Sequence, residues 1–166
     1  MWCNSYMKKI LISLLVICCL ALGCGKKGSF TEITLDDLLQ KFESKDTFVV
    51  LLTREACEVC ESSEPVFKEV VNDLGVEAFN VFFTVRWLFG MDGTNSNGFY
   101  ELLEYIGKDI PDYAEGFDVP VAFYVKEGKI IYHVMGYDFE DVENITKQEK
   151  DYQYALYAKG FTLLQK

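Results

Sequence analysis

Apolar residues fall along this chain as short continuous runs alternating with helically spaced sets, and that alternation outlines an α/β domain. Phe48-Val49-Val50-Leu51-Leu52 is a compact run rich in β-branched residues, the pattern of a buried strand. Ahead of it, Phe30–Ile33 reads as an edge strand. Leu35, Leu38, Leu39 and Phe42 then share one helix face behind Thr34, an N-cap with Asp36 and Asp37 in the first turn. After the run, Val66, Phe67, Val70, Val71 and Leu74 mark a helix from about Cys57 to Asp73. Pro65 should kink or restart that helix, and Gly75 should end it. Phe79–Val85 reads as the next strand, completing a βαβ unit with parallel strands and a right-handed crossover.

The second half is less regular. A turn-rich loop over 91–98 precedes a helix carrying Phe99, Leu102, Leu103 and Ile106 on one side. Val119–Val125 and Lys129–Met135 are strands joined by a hairpin turn at Glu127-Gly128 and closed by Gly136. From Phe139 to Leu164, helical spacing predicts one long helix or two shorter ones, with the acidic run Asp138, Glu140, Asp141 and Glu143 as its solvated start. Trp87-Leu88-Phe89 reads as core, with a partner patch as the alternative, and His133 as an ordinary surface or edge residue of its strand.

Length and charge narrow the classes. The 166 residues suit one domain with a short appendage, and a formal charge of −10 leaves no basic surface for nucleic acid. The N-terminus departs from the rest: Lys8-Lys9 precedes an apolar stretch over 10–23, too short for a membrane span and of signal-peptide length. Cys24 after Gly23 makes it resemble a bacterial lipoprotein signal, although Ala21 stands where that signal usually has Leu. Met7 opens a more conventional signal than Met1. The expected organisation is therefore a signal peptide over 1–23, lipidation at Cys24, a tether over 24–29 and a domain over 30–166.

Cysteine counting then isolates one pair. Of six cysteines, Cys3, Cys18 and Cys19 leave with such a signal and Cys24 carries lipid, so Cys57 and Cys60 remain. Two cysteines three apart can face each other across one helical turn and close a small ring. Alone, the pair is compatible with a zinc half-site, a static disulfide or a redox dithiol. Structural zinc wants four Cys or His ligands, and the mature chain offers two cysteines and His133, so no metal is expected. No Gly-rich phosphate loop or nucleophile–histidine arrangement is present to call for another cofactor. At the head of a helix, Cys57 would be the attacking thiol, exposed, its thiolate favoured by the helix dipole, and Cys60 the resolving one. Arg54 would favour that thiolate, whereas Glu58 and Glu61 oppose it. The couple is expected nearer the reducing than the strongly oxidising end.

The order β-α-β-α-β-α-β-β-α with the cysteine pair heading the second helix resembles the thioredoxin family. A second match is Val119-Pro120 opening a strand that ends in Lys126-Glu127-Gly128-Lys129, with Gly136 closing its partner. The resemblance implies an α/β thioredoxin-like fold, a central mixed β-sheet flanked by helices. It also implies a cis Pro120 against the disulfide, with the Val119 backbone offered to an extended substrate. A longer insertion lies at about 86–118. Four positions depart from the family: Ala56 replaces Trp, Glu58-Val59 replaces Gly-Pro, and Leu51 replaces a buried Asp that moves protons. The insertion and the anchor are similar to those of bacteriocin transport accessory-type lipoproteins of Gram-positive bacteria. The expected function is a membrane-tethered, extracytoplasmic thiol–disulfide oxidoreductase acting on thiols and disulfides of exported proteins or peptides, recycled by a redox partner. The alternative is a thioredoxin-fold accessory module for export with weak or no redox activity.

Overall fold

The run Phe48–Leu52 forms the middle of the sheet. Strand β2 (Phe48–Arg54) pairs in parallel with β3 (Glu77–Phe83) and antiparallel with β4 (Val121–Lys126). Strand β1 (Ser29–Glu32) adds in parallel to β3, and β5 (Lys129–Met135) forms a hairpin with β4, giving the order β1-β3-β2-β4-β5. This computed structural model describes residues 27–84, 96–136 and 145–166. The signal segment, Cys24, Trp87-Leu88-Phe89, loop residues 91–95 and the acidic run from Asp138 to Glu143 lie outside the described residues.

Helices cover both faces, which is why Phe48–Leu52 and Val121–Val125 are hydrophobic at successive positions and not at alternate ones. Phe48, Val50 and Leu52 pack with Val121, Phe123 and Val125 toward α1 (Leu35–Glu43) and α3 (Ser96–Asp109). Val49, Leu51, Ala122 and Tyr124 pack on the other face, under α2 (Glu58–Leu74) and α4 (Lys147–Leu164). The period of two that separates these sets is the pleat of an extended chain.

Local signals place the ends. Thr34 and Asp37 form a capping box at α1, with the Asp37 amide donating to Thr34 Oγ1 at 3.1 Å and the Thr34 amide to Asp37 Oδ2 at 3.0 Å. The same device starts α4: the Thr146 amide donates to Glu149 Oε2 at 2.7 Å. Thr146-Lys147-Gln148-Glu149 is a sequence signature that the periodicity alone did not expose. Strand β3 starts at Glu77, two residues before the expected Phe79, because Gly75 caps α2 at φ 61° and the chain pairs at once with Ser29. Strand β4 begins at Val121 because Pro120 has no amide to give to the ladder. Contrary to a restart at Pro65, α2 continues through the proline as one helix.

Helix α4 seats on the sheet through its backbone. Gly160 lies against the fully buried Tyr124 ring, where an added Cβ would come within 2.3 Å of ring carbons. The Tyr124 hydroxyl donates to the Tyr157 carbonyl at 2.7 Å, and the Phe161 ring meets Tyr124 edge-on at 5.3 Å. Burial pushes both phenols up, Tyr157 to about 12. Gly160→Ala is expected to destabilise the fold by about 1–3 kcal/mol, as overpacking does, read as a lower urea midpoint. Alanine favours a helix over glycine by up to ~1 kcal/mol, so a raised midpoint would show that Tyr124 yields.

Candidate active site

The two cysteines owe their position to a short turn at the end of β2. After Arg54, the Glu55 amide still donates to the Phe83 carbonyl at 3.0 Å; Ala56 then takes φ 52°, in the left-handed region, and Cys57 returns to extended backbone. A left-handed residue with a Cβ costs about 1–2 kcal/mol, so the turn into α2 is held by what surrounds it. Cys57 is the N-cap of α2: its sulfur accepts from the Cys60 amide at 3.2 Å, and the Glu61 amide donates to its carbonyl at 3.1 Å. Cys57 and Cys60 are joined as a disulfide across that first turn, with Cα atoms 5.2 Å apart.

The opposite wall is the bend before β4. The Val119–Pro120 peptide is cis, and the Val119 carbonyl oxygen lies 3.7 Å from Cys57 Sγ. That contact overturns one expectation. Cys57 is not an exposed thiol: only 7% of it is accessible, against 3% for Cys60, because the bend covers its sulfur. The wall is itself pinned from β5. The Gly136 amide donates to the Pro120 carbonyl at 2.6 Å, and an added Cβ on Gly136 would fall 2.3 Å from Pro120 Cγ.

The remaining candidates sit further out. Glu58, at the first position of α2, and Glu61 are exposed. Arg54 is also exposed and lines a cavity with Asp118 and Val119, which places it beside the wall of the site. Leu51 is fully buried in the apolar cluster beneath α2. His133 stands half-buried on β5, the strand at one edge of the sheet; its ring packs against Tyr113 at 5.2 Å, and burial pushes its pKa down. Among the described residues no cluster of three His, Cys, Asp or Glu side chains could hold a metal ion.

Sequence reasoning missed the polar groups buried under the site. Among the described residues the buried polar side chains are Thr53, Ser63, Asn80 and Gln153, and none carries charge. Thr53 Oγ1 donates to Asn80 Oδ1 at 3.0 Å. Gln153 Nε2 donates to Ser63 Oγ at 2.9 Å and to the Tyr157 hydroxyl at 3.1 Å, while its Oε1 has no hydrogen-bond partner among the described residues. Ser63 follows Cys60 by three residues and so shares its helix face; that spacing was the available signal.

Known structures with a related arrangement include a thioredoxin-fold protein provisionally described as an oxidoreductase (13% identity, TM-score 0.48, covering 82% of this chain and 94% of that one). Spinach chloroplast thioredoxin f matches at 15% identity and TM-score 0.45, over 84% of this chain and 94% of that one. Aeropyrum pernix thioredoxin matches at 14% identity and TM-score 0.41, over 63% and 73%. No protein-family model and no curated protein matches the chain. What decides the fold is internal: the strand order, two helices on each face, the cysteine pair at the head of α2 and the cis peptide facing it. The fold is thioredoxin-like. Gly136→Ala is expected to push Pro120 and Val119 off Cys57, costing about 1–3 kcal/mol of stability and changing the rate at which reduced Cys57 reacts with iodoacetamide. An unchanged urea midpoint and rate would show that the wall absorbs a methyl group.

Proposed function

We propose that this chain is a thiol–disulfide oxidoreductase working through Cys57 and Cys60. The observation that carries the reading is the Cys57–Cys60 disulfide at a helix N-terminus, with the Val119 carbonyl 3.7 Å from the Cys57 sulfur. In the reducing direction, the Cys57 thiolate attacks one sulfur of a substrate disulfide and forms a mixed disulfide, releasing the other substrate thiolate. Cys60 then attacks the Cys57 sulfur, the second substrate thiolate leaves, and the protein pair is oxidised by two electrons. The helix N-terminus favours the attacking thiolate through the amides of its first turn, of which the Cys60 amide already donates to the Cys57 sulfur. Arg54 and Glu58 tune it in opposite senses from the surface, where each contributes little. The Val119 backbone pairs with an extended substrate and holds its sulfur in line.

A dithiol that cycles needs a thiol-bearing partner to restore it, and exported proteins or peptides are the proposed substrates. Membrane tethering through lipid on Cys24, on the extracytoplasmic side, is the proposed setting; the apolar stretch before Cys24 supports it. With the full chain and dithiothreitol, insulin reduction is expected to fall to background in Cys57→Ser and in Cys60→Ser. Activity surviving both would leave only the accessory-module reading. Cys60→Ser is further expected to accumulate mixed disulfides with substrates. Cys24→Ala is expected to move the protein from the membrane to the soluble fraction on cell fractionation; a protein that stays membrane-bound would reject the lipid anchor.

A further inference from the structure

Beside the dithiol lies a cavity that the exchange reaction does not require. Its volume is about 180 Å³, and it is lined by Arg54, Phe83, Phe99, Phe117, Asp118 and Val119. We propose that this cavity is a specificity subsite for one aromatic side chain next to the reacting cysteine of the substrate polypeptide. The proposal rests on the redox reading and names the substrate class that the site would select.

Position comes first. Val119 belongs to both features: its carbonyl lies 3.7 Å from Cys57 Sγ, and the residue lines the cavity. A segment extended along the Val119 backbone carries its side chains to alternate sides, with an advance of about 3.3 Å per residue. A residue adjoining the substrate cysteine is therefore within reach of the cavity while the cysteine meets Cys57. Size comes next. An apolar cavity of about 150 Å³ is known to stay dry and accept benzene, so about 180 Å³ suits one ring.

The lining argues for a ring over an aliphatic chain. Phe83 and Phe99 meet edge to face at 6.2 Å and 84°, and Phe99 and Phe117 lie 5.9 Å apart at 47°. A third ring entering such a cluster finds the tilted, edge-on partners that aromatic pairs prefer. Arg54 belongs to the same lining, and a guanidinium favours the face of an aromatic ring. The walls come from separate parts of the chain. Phe83 ends β3, Phe99 stands on α3 and Phe117 precedes the cis peptide, so two of the three rings belong to the 86–118 insertion.

The test uses single-cysteine peptides whose sulfur is capped with 5-thio-2-nitrobenzoate, differing only in the residue before cysteine: Phe, Leu or Ala. Attack of the Cys57 thiolate on the peptide sulfur releases coloured thionitrobenzoate, and attack by Cys60 then frees the peptide thiolate. Oxidation of the protein dithiol thus balances the two thiols released. With the reduced full chain, the Phe peptide is expected to react at least about tenfold faster than the Ala peptide, and faster than the Leu peptide. The Phe-to-Ala ratio is expected to collapse toward one in Phe117→Ala, and to fall severalfold in Arg54→Gln, whose side chain lies outside the core. A ratio taken within each variant cancels changes in thiolate fraction or in folded population. Reaction at equal rates with all three peptides, or with Phe and Leu alike, would overturn the aromatic subsite and leave the dithiol reading standing. No release from any peptide would overturn both.

Discussion

The Cys57 sulfur is located by the end of a strand held in the core on both faces and both edges. Strand β2 is buried on both faces and paired on both edges, so the place where it stops is fixed to within the packing of the core. The left-handed Ala56 converts that end into a helix start within three residues, and the first turn of the helix closes the disulfide. A second fixed strand, β4, delivers Val119 and Pro120 from the other side. Both walls therefore belong to neighbouring strands, whose register pairs Leu52 with Val121. Displacing either wall by the Van der Waals radius of a methyl group means moving a strand, and this is why Gly136, far from the sulfur in sequence, bears on its reactivity.

Proton handling follows from the same burial. Cys60 is nearly inaccessible, and the polar side chains buried among the described residues are hydroxyls and amides. With Leu51 where the thioredoxin family has an acid, no buried carboxylate among them can exchange a proton with the resolving sulfur. The Ser63–Gln153–Tyr157 cluster lies one turn along the same helix face, its amide and hydroxyls bonded to one another.

What was legible in the sequence is the framework, because its signals are local and repeated. The apolar run of β2, the helical spacing in α2, the Glu127-Gly128 turn and the Val119-Pro120 pair each carry their own physical signature. The dithiol was legible as a motif for the same reason. Two other features were not. The covering of Cys57 depends on a contact between residues 62 positions apart, and nothing in its immediate neighbours announces it. The buried polar cluster joins Ser63 to Gln153 across 90 positions, and a serine or glutamine in an amphipathic helix reads equally well as a surface residue. The half-burial of His133 has the same origin, since Tyr113 reaches it from a short helical turn at Pro111–Tyr113 whose apolar pattern is too short to read.

Division of labour between framework and insertion is the remaining consequence of this geometry. The sulfur is aligned by backbone, through the Val119 carbonyl and the Pro120 bend, and backbone position depends weakly on which side chain stands at residue 119. Recognition, in contrast, depends on three rings, of which Phe83 ends β3 while Phe99 and Phe117 stand on α3 and in the loop before Pro120, outside the β-framework. Val119 is where the two requirements meet, its carbonyl lying against the Cys57 sulfur while the residue also lines the cavity. A fold arranged this way lets selectivity for a substrate vary while the geometry of exchange stays constant.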